Sequence, residues 1–237
     1  MANLLLVQGA YYHLWFLYVL VSIYLIMPVL RLMFRPEVDK RILWYLIGLW
    51  LIFQPVMTIA NKLWNFQINI SAPLATGFVC YFILGYLLGE MDFSRSRIIL
   101  SVVIWILSAS ATVAGAYLMT QSSGKYDGFF YDFVSLNVIL ASGVAFVLLR
   151  WISEAKIFAS ESIHSITRSL AAATFGIYLI HIIIIEALWY WIPFIHVDAF
   201  MGNAIWSVPL VTTIVFAISY LIVRGMQKIP VVKQIVP

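Results

Sequence analysis

Charge is what this sequence has least of. Asp, Glu, Lys and Arg make up 10% of its 237 residues, against about 25% in a soluble domain. A chain with so little polar surface to spend cannot cover a water-soluble globule. The one cysteine, Cys80, excludes an intrachain disulfide and a thiol-built zinc site. There is no Gly-rich phosphate loop, no cluster with metal-ligand spacing and no nucleophile-elbow pattern, and no Ser-His-Asp triad can be assembled by spacing. Linkers, repeats and low-complexity tracts are missing too. So is the roughly ten-residue alternation of a membrane barrel. The net charge of +4 is too small, on this composition, to suggest a nucleic-acid partner. Nothing before Leu14 looks like a signal peptide, having neither a basic start nor a cleavage site.

What is present is apolar. Hydrophobic residues reach 64% and the mean hydropathy is +1.00. Seven uncharged windows approach or exceed the roughly 20 residues that cross a hydrocarbon core: Leu14–Leu30, Ile42–Asn61, Leu63–Gly89, Ile98–Gly124, Phe133–Leu149, Ser169–Ile185 and Ala199–Val223. Lipid cannot satisfy open strand edges, so these windows predict helices. The expected fold is all-α: one polytopic transmembrane bundle of about seven helices over residues 1–237. The polar outer ends of two long windows, Leu63–Ser71 and Thr120–Gly124, are expected to be loops. The segment Arg150–Arg168 reads either as a short amphipathic surface helix, through Trp151, Ile152, Ala155, Ile157 and Phe158, or as an ordinary polar loop.

Basic residues alternate from one connection to the next. One set holds Arg31, Arg35, Lys40, Arg41, Arg95, Arg97, Arg150, Lys156, Arg168, Arg224, Lys228 and Lys233; the other holds Lys62 and Lys125. Positive-inside placement then puts the C-terminus in the cytoplasm and the N-terminus outside. The lipid bilayer is the first partner this implies.

The sixth window carries the most chemistry. Thr174, Tyr178 and His181 stand at i, i+4 and i+7, on one helical strip. Ionisable groups inside a span are costly and by default face the bundle interior or a wet cavity. His181 lies roughly 18–20 Å along the helix from Arg168, beyond the midplane. The plain alternative is a histidine bonded to a neighbouring helix, with Tyr178 marking an interface and Glu186 the outer water boundary. His13 opens the first window among Tyr11, Tyr12, Trp15 and Tyr18, a crowd that an aromatic belt also explains. His13 and His181 belong to the same half of the membrane, so a shared site is allowed. Asn61–Ser71 offers Asn61, Asn65, Gln67 and Asn69 beside Trp64 and Phe66. Amides with flat apolar faces suit sugar recognition, and they equally suit a loop among headgroups. Asn69-Ile70-Ser71 is also a glycosylation sequon. Arg31, Arg35, Arg95 and Arg97 are candidates to attract the phosphates of a nucleotide-like donor, although the topological bias alone accounts for them.

Four stretches resemble the acyltransferase 3 family of integral membrane acyltransferases. Tyr12-His13-Leu14-Trp15-Phe16-Leu17-Tyr18 with Tyr24-Leu25-Ile26-Met27-Pro28-Val29-Leu30 is similar to its "HLWFL…YLxxPxL" helix. Tyr81-Phe82-Ile83-Leu84-Gly85-Tyr86-Leu87-Leu88-Gly89 is similar to its "YFxLGYxLG" helix. Phe130-Tyr131-Asp132 with Ser135 resembles a third. Thr174-Phe175-Gly176-Ile177-Tyr178-Leu179-Ile180-His181 resembles "SFGIYLIH", with Thr174 where serine is usual and Ile182 where proline often follows. The match looks closest to members that O-acetylate bacterial cell-surface polysaccharides, enterobacterial common antigen among them.

The resemblance implies no bound cofactor. It implies acetyl-CoA or another acyl-CoA as donor, and a hydroxyl of a polysaccharide or lipid-linked sugar as acceptor, at the bacterial inner membrane. His181, Tyr178 and His13 are the expected catalytic residues. Trp15, Tyr18, Trp64, Asn65 and Thr174 are expected on the acceptor, and Arg31, Arg35, Arg95 and Arg97 on the donor. No metal ligand is expected. The family usually has ten helices and opens with an "LRGIAxxxVxxxH" helix that this sequence lacks. The expectation is therefore a C-terminal part of such a protein, inactive or nearly so alone, that pairs with the missing helices or with itself. A non-catalytic membrane subunit, or a carrier of lipid-linked sugars, is the competing expectation.

Overall fold

The computed structural model describes residues 12–64, 74–155, 158, 160–190 and 202–229. They form seven α-helices and two short 3-10 turns, and no strand occurs among the described residues. The helices are α1 (Trp15–Met33), α2 (Lys40–Trp64), α3 (Leu74–Gly89), α4 (Arg95–Ser123), α5 (Leu136–Ser153), α6 (Glu161–Tyr190) and α7 (Ala204–Met226). Six are long and apolar enough to cross a membrane; α3, with 16 residues, is the shorter exception. The all-α expectation holds.

Two boundaries differ from the sequence reading. Thr120–Gly124 is not a loop: α4 runs through Ser123 and stops at Gly124, whose φ of 65° is left-handed. The polar residues there are kept in the helix by local bonds, such as Ser122 Oγ to the Met119 carbonyl (3.0 Å). Only glycine adopts that φ without strain, and it ends the helix. At the other outer end, Leu63 and Trp64 close α2, while 65–73 lie outside the described residues. Between Arg150 and Arg168, α5 continues to Ser153 and α6 begins at Glu161, so most of that segment extends the two spans.

The chain divides into two compact units, one of residues 15–155 and one of residues 1–14 with 156–237. In the first, α4 packs on α5, and α3 packs on α1, α2 and α5. Its core joins Leu30, Leu43, Ile47, Trp50, Ile83 and Ile139, all buried. One end of this unit gathers the basic residues. Lys40 pairs with Glu90, joining the start of α2 to the end of α3. Arg150 donates to the carbonyls of Leu88 (3.3 Å) and Met91 (2.8 Å), which caps α3. At the opposite end Lys62 pairs with Asp127. The ends thus alternate within the unit as the charge pattern requires.

The Lys62 ammonium and the Phe129 N–H hold the Asp127 carboxyl below the usual carboxylate range. A carboxylate depressed in the folded state contributes stability above its unfolded pKa and loses it as pH falls through the folded value. Asp127→Asn should therefore lower the thermal midpoint at neutral pH, by an amount that shrinks as acid protonates the wild-type carboxylate. An equal loss at neutral and acid pH would show that the carboxylate charge is not what matters.

In the second unit α6 packs on α7. Ala173 and Val223 are fully buried against each other's neighbours, with Ile177, Ile180 and Tyr220 around them. Ser169 and Tyr220 share a 2.8 Å hydrogen bond. Gln227, just past α7, donates to the Ala172 carbonyl at 3.0 Å. The two helices are therefore antiparallel, with Arg168, Arg224 and Lys228 at one end.

Candidate functional site

The second unit brings His13, Tyr178 and His181 together. His13 sits in the 3-10 turn Tyr12–Leu14. Its ring lies 5.3 Å from that of His181 at 82°, and 6.0 Å from that of Tyr178 at 63°. The Tyr178 hydroxyl donates to the His13 backbone carbonyl at 2.5 Å. Tyr178 therefore holds the turn that carries His13, across a sequence separation of 165 residues.

His181 Nδ1 lies 2.6 Å from the Tyr178 carbonyl, one turn back on α6. A carbonyl only accepts, so Nδ1 carries the proton and the neutral ring keeps its lone pair on Nε2. That is the form a general base needs. Both ring nitrogens of His13 are shielded from solvent. Two half-buried imidazoles beside one tyrosine can take up, hold and pass one proton.

Thr174 does not join them. It is exposed, and its hydroxyl donates to the Leu170 carbonyl at 3.0 Å. Trp15 belongs to the first unit, with its ring 5.1 Å from Phe133 and 5.6 Å from Phe78. Tyr18 is 43% exposed and Trp64 73% exposed. Asn65 lies outside the described residues. Arg31, Arg35, Arg95 and Arg97 are all exposed in the first unit. Arg97 directs one N–H to the Asp92 carbonyl at 2.8 Å. No group of three or more metal-ligating side chains occurs among the described residues.

A family model described as an acyltransferase domain matches residues 2–224. The chain belongs to the acyltransferase 3 family. Nothing among curated proteins or solved structures matches it. The six apolar helices and this family together make it an integral membrane protein of an acyltransferase kind. In this acyltransferase, sequence reasoning overlooked a second polar cluster. Asn137 Nδ2 donates to Thr112 Oγ1 (2.7 Å) and to the Phe130 carbonyl (2.8 Å). Ser135 Oγ donates to the Phe129 carbonyl at 2.7 Å, and the Tyr81 hydroxyl to the Phe133 carbonyl at 2.5 Å. Each of these groups fastens the turn before α5. An amide two residues into the apolar run after Ser135 was the available signal.

Proposed function

We propose that this membrane acyltransferase moves an acyl group, acetyl in the simplest case, from acyl-CoA to a hydroxyl of a cell-surface or lipid-linked polysaccharide, with His181 as base. The observation that carries the reading is the 2.6 Å contact of His181 Nδ1 with the Tyr178 carbonyl, beside the His13 ring. The acceptor oxygen attacks the thioester carbonyl carbon as its proton passes to His181 Nε2. The carbon–sulfur bond then breaks, and the leaving thiolate takes a proton to become the free thiol. Tyr178 holds His13 in place.

Donor phosphates are drawn to the basic end, where Arg31, Arg35 and Arg95 are exposed. The exposed aromatic side chains Trp64, Tyr18 and Trp15 are the acceptor candidates of the first unit. The family's opening Arg–His helix pattern does not occur in this sequence, so the reading includes little or no turnover by this chain alone.

The test is transfer of radiolabelled acetyl from acetyl-CoA to cell-surface polysaccharide, with the chain in lipid nanodiscs. One arm uses the chain alone; a second adds a family opening helix in trans. Transfer in the second arm is the expected result. No transfer in either arm, with labelled lipid-linked sugar still bound, would favour a carrier instead. Robust transfer by the chain alone would remove the inactivity from the reading and keep the chemistry.

The same reading takes the bacterial inner membrane from the family resemblance, and a cytoplasmic C-terminus from the twelve-to-two division of basic residues. In a Cys80→Ala background, Lys125→Cys should react with an impermeant thiol reagent in intact cells, and Ser96→Cys should not. Both positions are exposed. The opposite labelling pattern would invert the topology.

A further inference from the structure

The first unit contains an apolar cleft of about 300 Å³ between α2, α3, α4 and α5. Its lining runs from Arg97 to Ile104 on α4, from Leu140 to Val147 on α5 and from Trp44 to Leu51 on α2. Each of these stretches is about 10 Å deep. Arg97 and Asp92 mark the mouth, and below them Ser101 is the one polar side chain. The mouth is built rather than incidental. Arg150 grips the Leu88 and Met91 carbonyls and lies 4.6 Å over the Phe93 ring, and Phe93 is itself part of the wall. Gly143 faces Leu84 and Leu88 across the cleft, where a Cβ would stand in ordinary contact at 3.5 Å and only a larger side chain would fill the space.

We propose that this cleft binds one acyl chain of a phosphate-headed membrane lipid, with the phosphate on Arg97. The inference goes beyond the acyl-transfer reading and does not rest on it. The cleft lies in a bundle that spans hydrocarbon, and its mouth is at the end where basic residues meet headgroups. Arg97 keeps further N–H groups beside the one it gives to the Asp92 carbonyl, and these can donate charge-assisted hydrogen bonds to a phosphate. The apolar depth suits an alkyl chain. It does not suit the pantetheine arm of acyl-CoA, whose amides would lose their hydrogen bonds with only Ser101 to replace them.

The probe is phosphatidylglycerol carrying a diazirine midway along one acyl chain, in nanodiscs with the full chain. After irradiation, adducts should concentrate on the cleft walls over 84–104 and 140–147. Arg97→Gln should reduce them about fivefold, the worth of one basic contact with an anionic headgroup. Filling the cleft with Gly143→Phe, or from another position with Val147→Trp, should abolish them. Circular dichroism and the thermal midpoint show whether each variant is folded, and exposed Arg97 is the one whose replacement is safest. Inorganic phosphate should not compete, because the chain supplies most of the binding. Adducts spread evenly over lipid-facing positions such as Leu25, unchanged by Arg97→Gln, would reduce the cleft to ordinary surrounding lipid and overturn the proposal. Displacement by acetyl-CoA would also overturn it, by making the cleft a donor site.

Discussion

His181→Ala should lower acyl transfer by at least about tenfold, because a general acid–base group commonly contributes 10²–10⁴ in rate. The measurement belongs in whichever form carries transfer, the chain alone or with an opening helix supplied in trans. Loss of the ring removes the only lone pair that the Tyr178 carbonyl has fixed toward Nε2. It also removes the ring partner of His13 at 5.3 Å. The loss should fall on kcat rather than KM, since the base acts in the transition state. His181→Gln restores a hydrogen-bonding side chain of similar reach without a base, and should not rescue activity. Tyr178→Phe should cost less, because it loosens the turn under His13 and leaves the His181 tautomer untouched. Wild-type rates in a well-inserted His181→Ala protein would return the residue to a packing role.

The second large effect is on stability. The Phe130 ring lies flat against Gly115, where an added Cβ would come within 2.5–2.6 Å of three ring carbons. The backbone that carries the ring is fastened. Asn137 holds the Phe130 carbonyl, and Thr112, one helical turn before Gly115, holds Asn137. Gly115→Ala should therefore cost about 1–3 kcal/mol, the usual range for overpacking. Alanine's better helix propensity returns about 0.8–1 kcal/mol at most. For a chain of this size, each kcal/mol moves the midpoint by about 2–4 °C. Gly48→Ala is the matched control: it is also mid-helix, with nothing within 4 Å of its Cβ, and should hold or raise the midpoint. A Gly115→Ala protein that unfolds with the wild type would mean that the Phe130 contact is loose.

The helices were legible because hydrocarbon thickness and uncharged windows share one length scale. Their ends were not. A hydropathy window closes where transfer to lipid stops being favourable, whereas a helix closes where its last carbonyls find a cap. Thr120, Gln121, Ser122 and Ser123 are polar and still helical, and the stop waits for Gly124. The two polar turns at the start of α6, Glu161–Arg168, are the same case at the other end of a span. In the candidate site, His13 and His181 were each visible as ionisable groups in an apolar setting. Their contact was not, because 168 positions separate them and periodicity relates only residues of one helix. Periodicity also put Thr174 on one strip with Tyr178 and His181. It does not register that a threonine hydroxyl can be satisfied by its own helix, as Thr174 is by Leu170.

The bond from His181 Nδ1 to the Tyr178 carbonyl has a consequence for proton traffic. A ring that turned over to present its other nitrogen would break that bond. Whatever proton the imidazole collects at Nε2 must then depart from Nε2. In an acyl transfer run this way, the incoming alcohol and the outgoing sulfur visit one atom in succession from the same side of the ring. The reaction is thereby ordered: the alcohol's place must empty, or the new ester must slide away, before the thiolate can be neutralised.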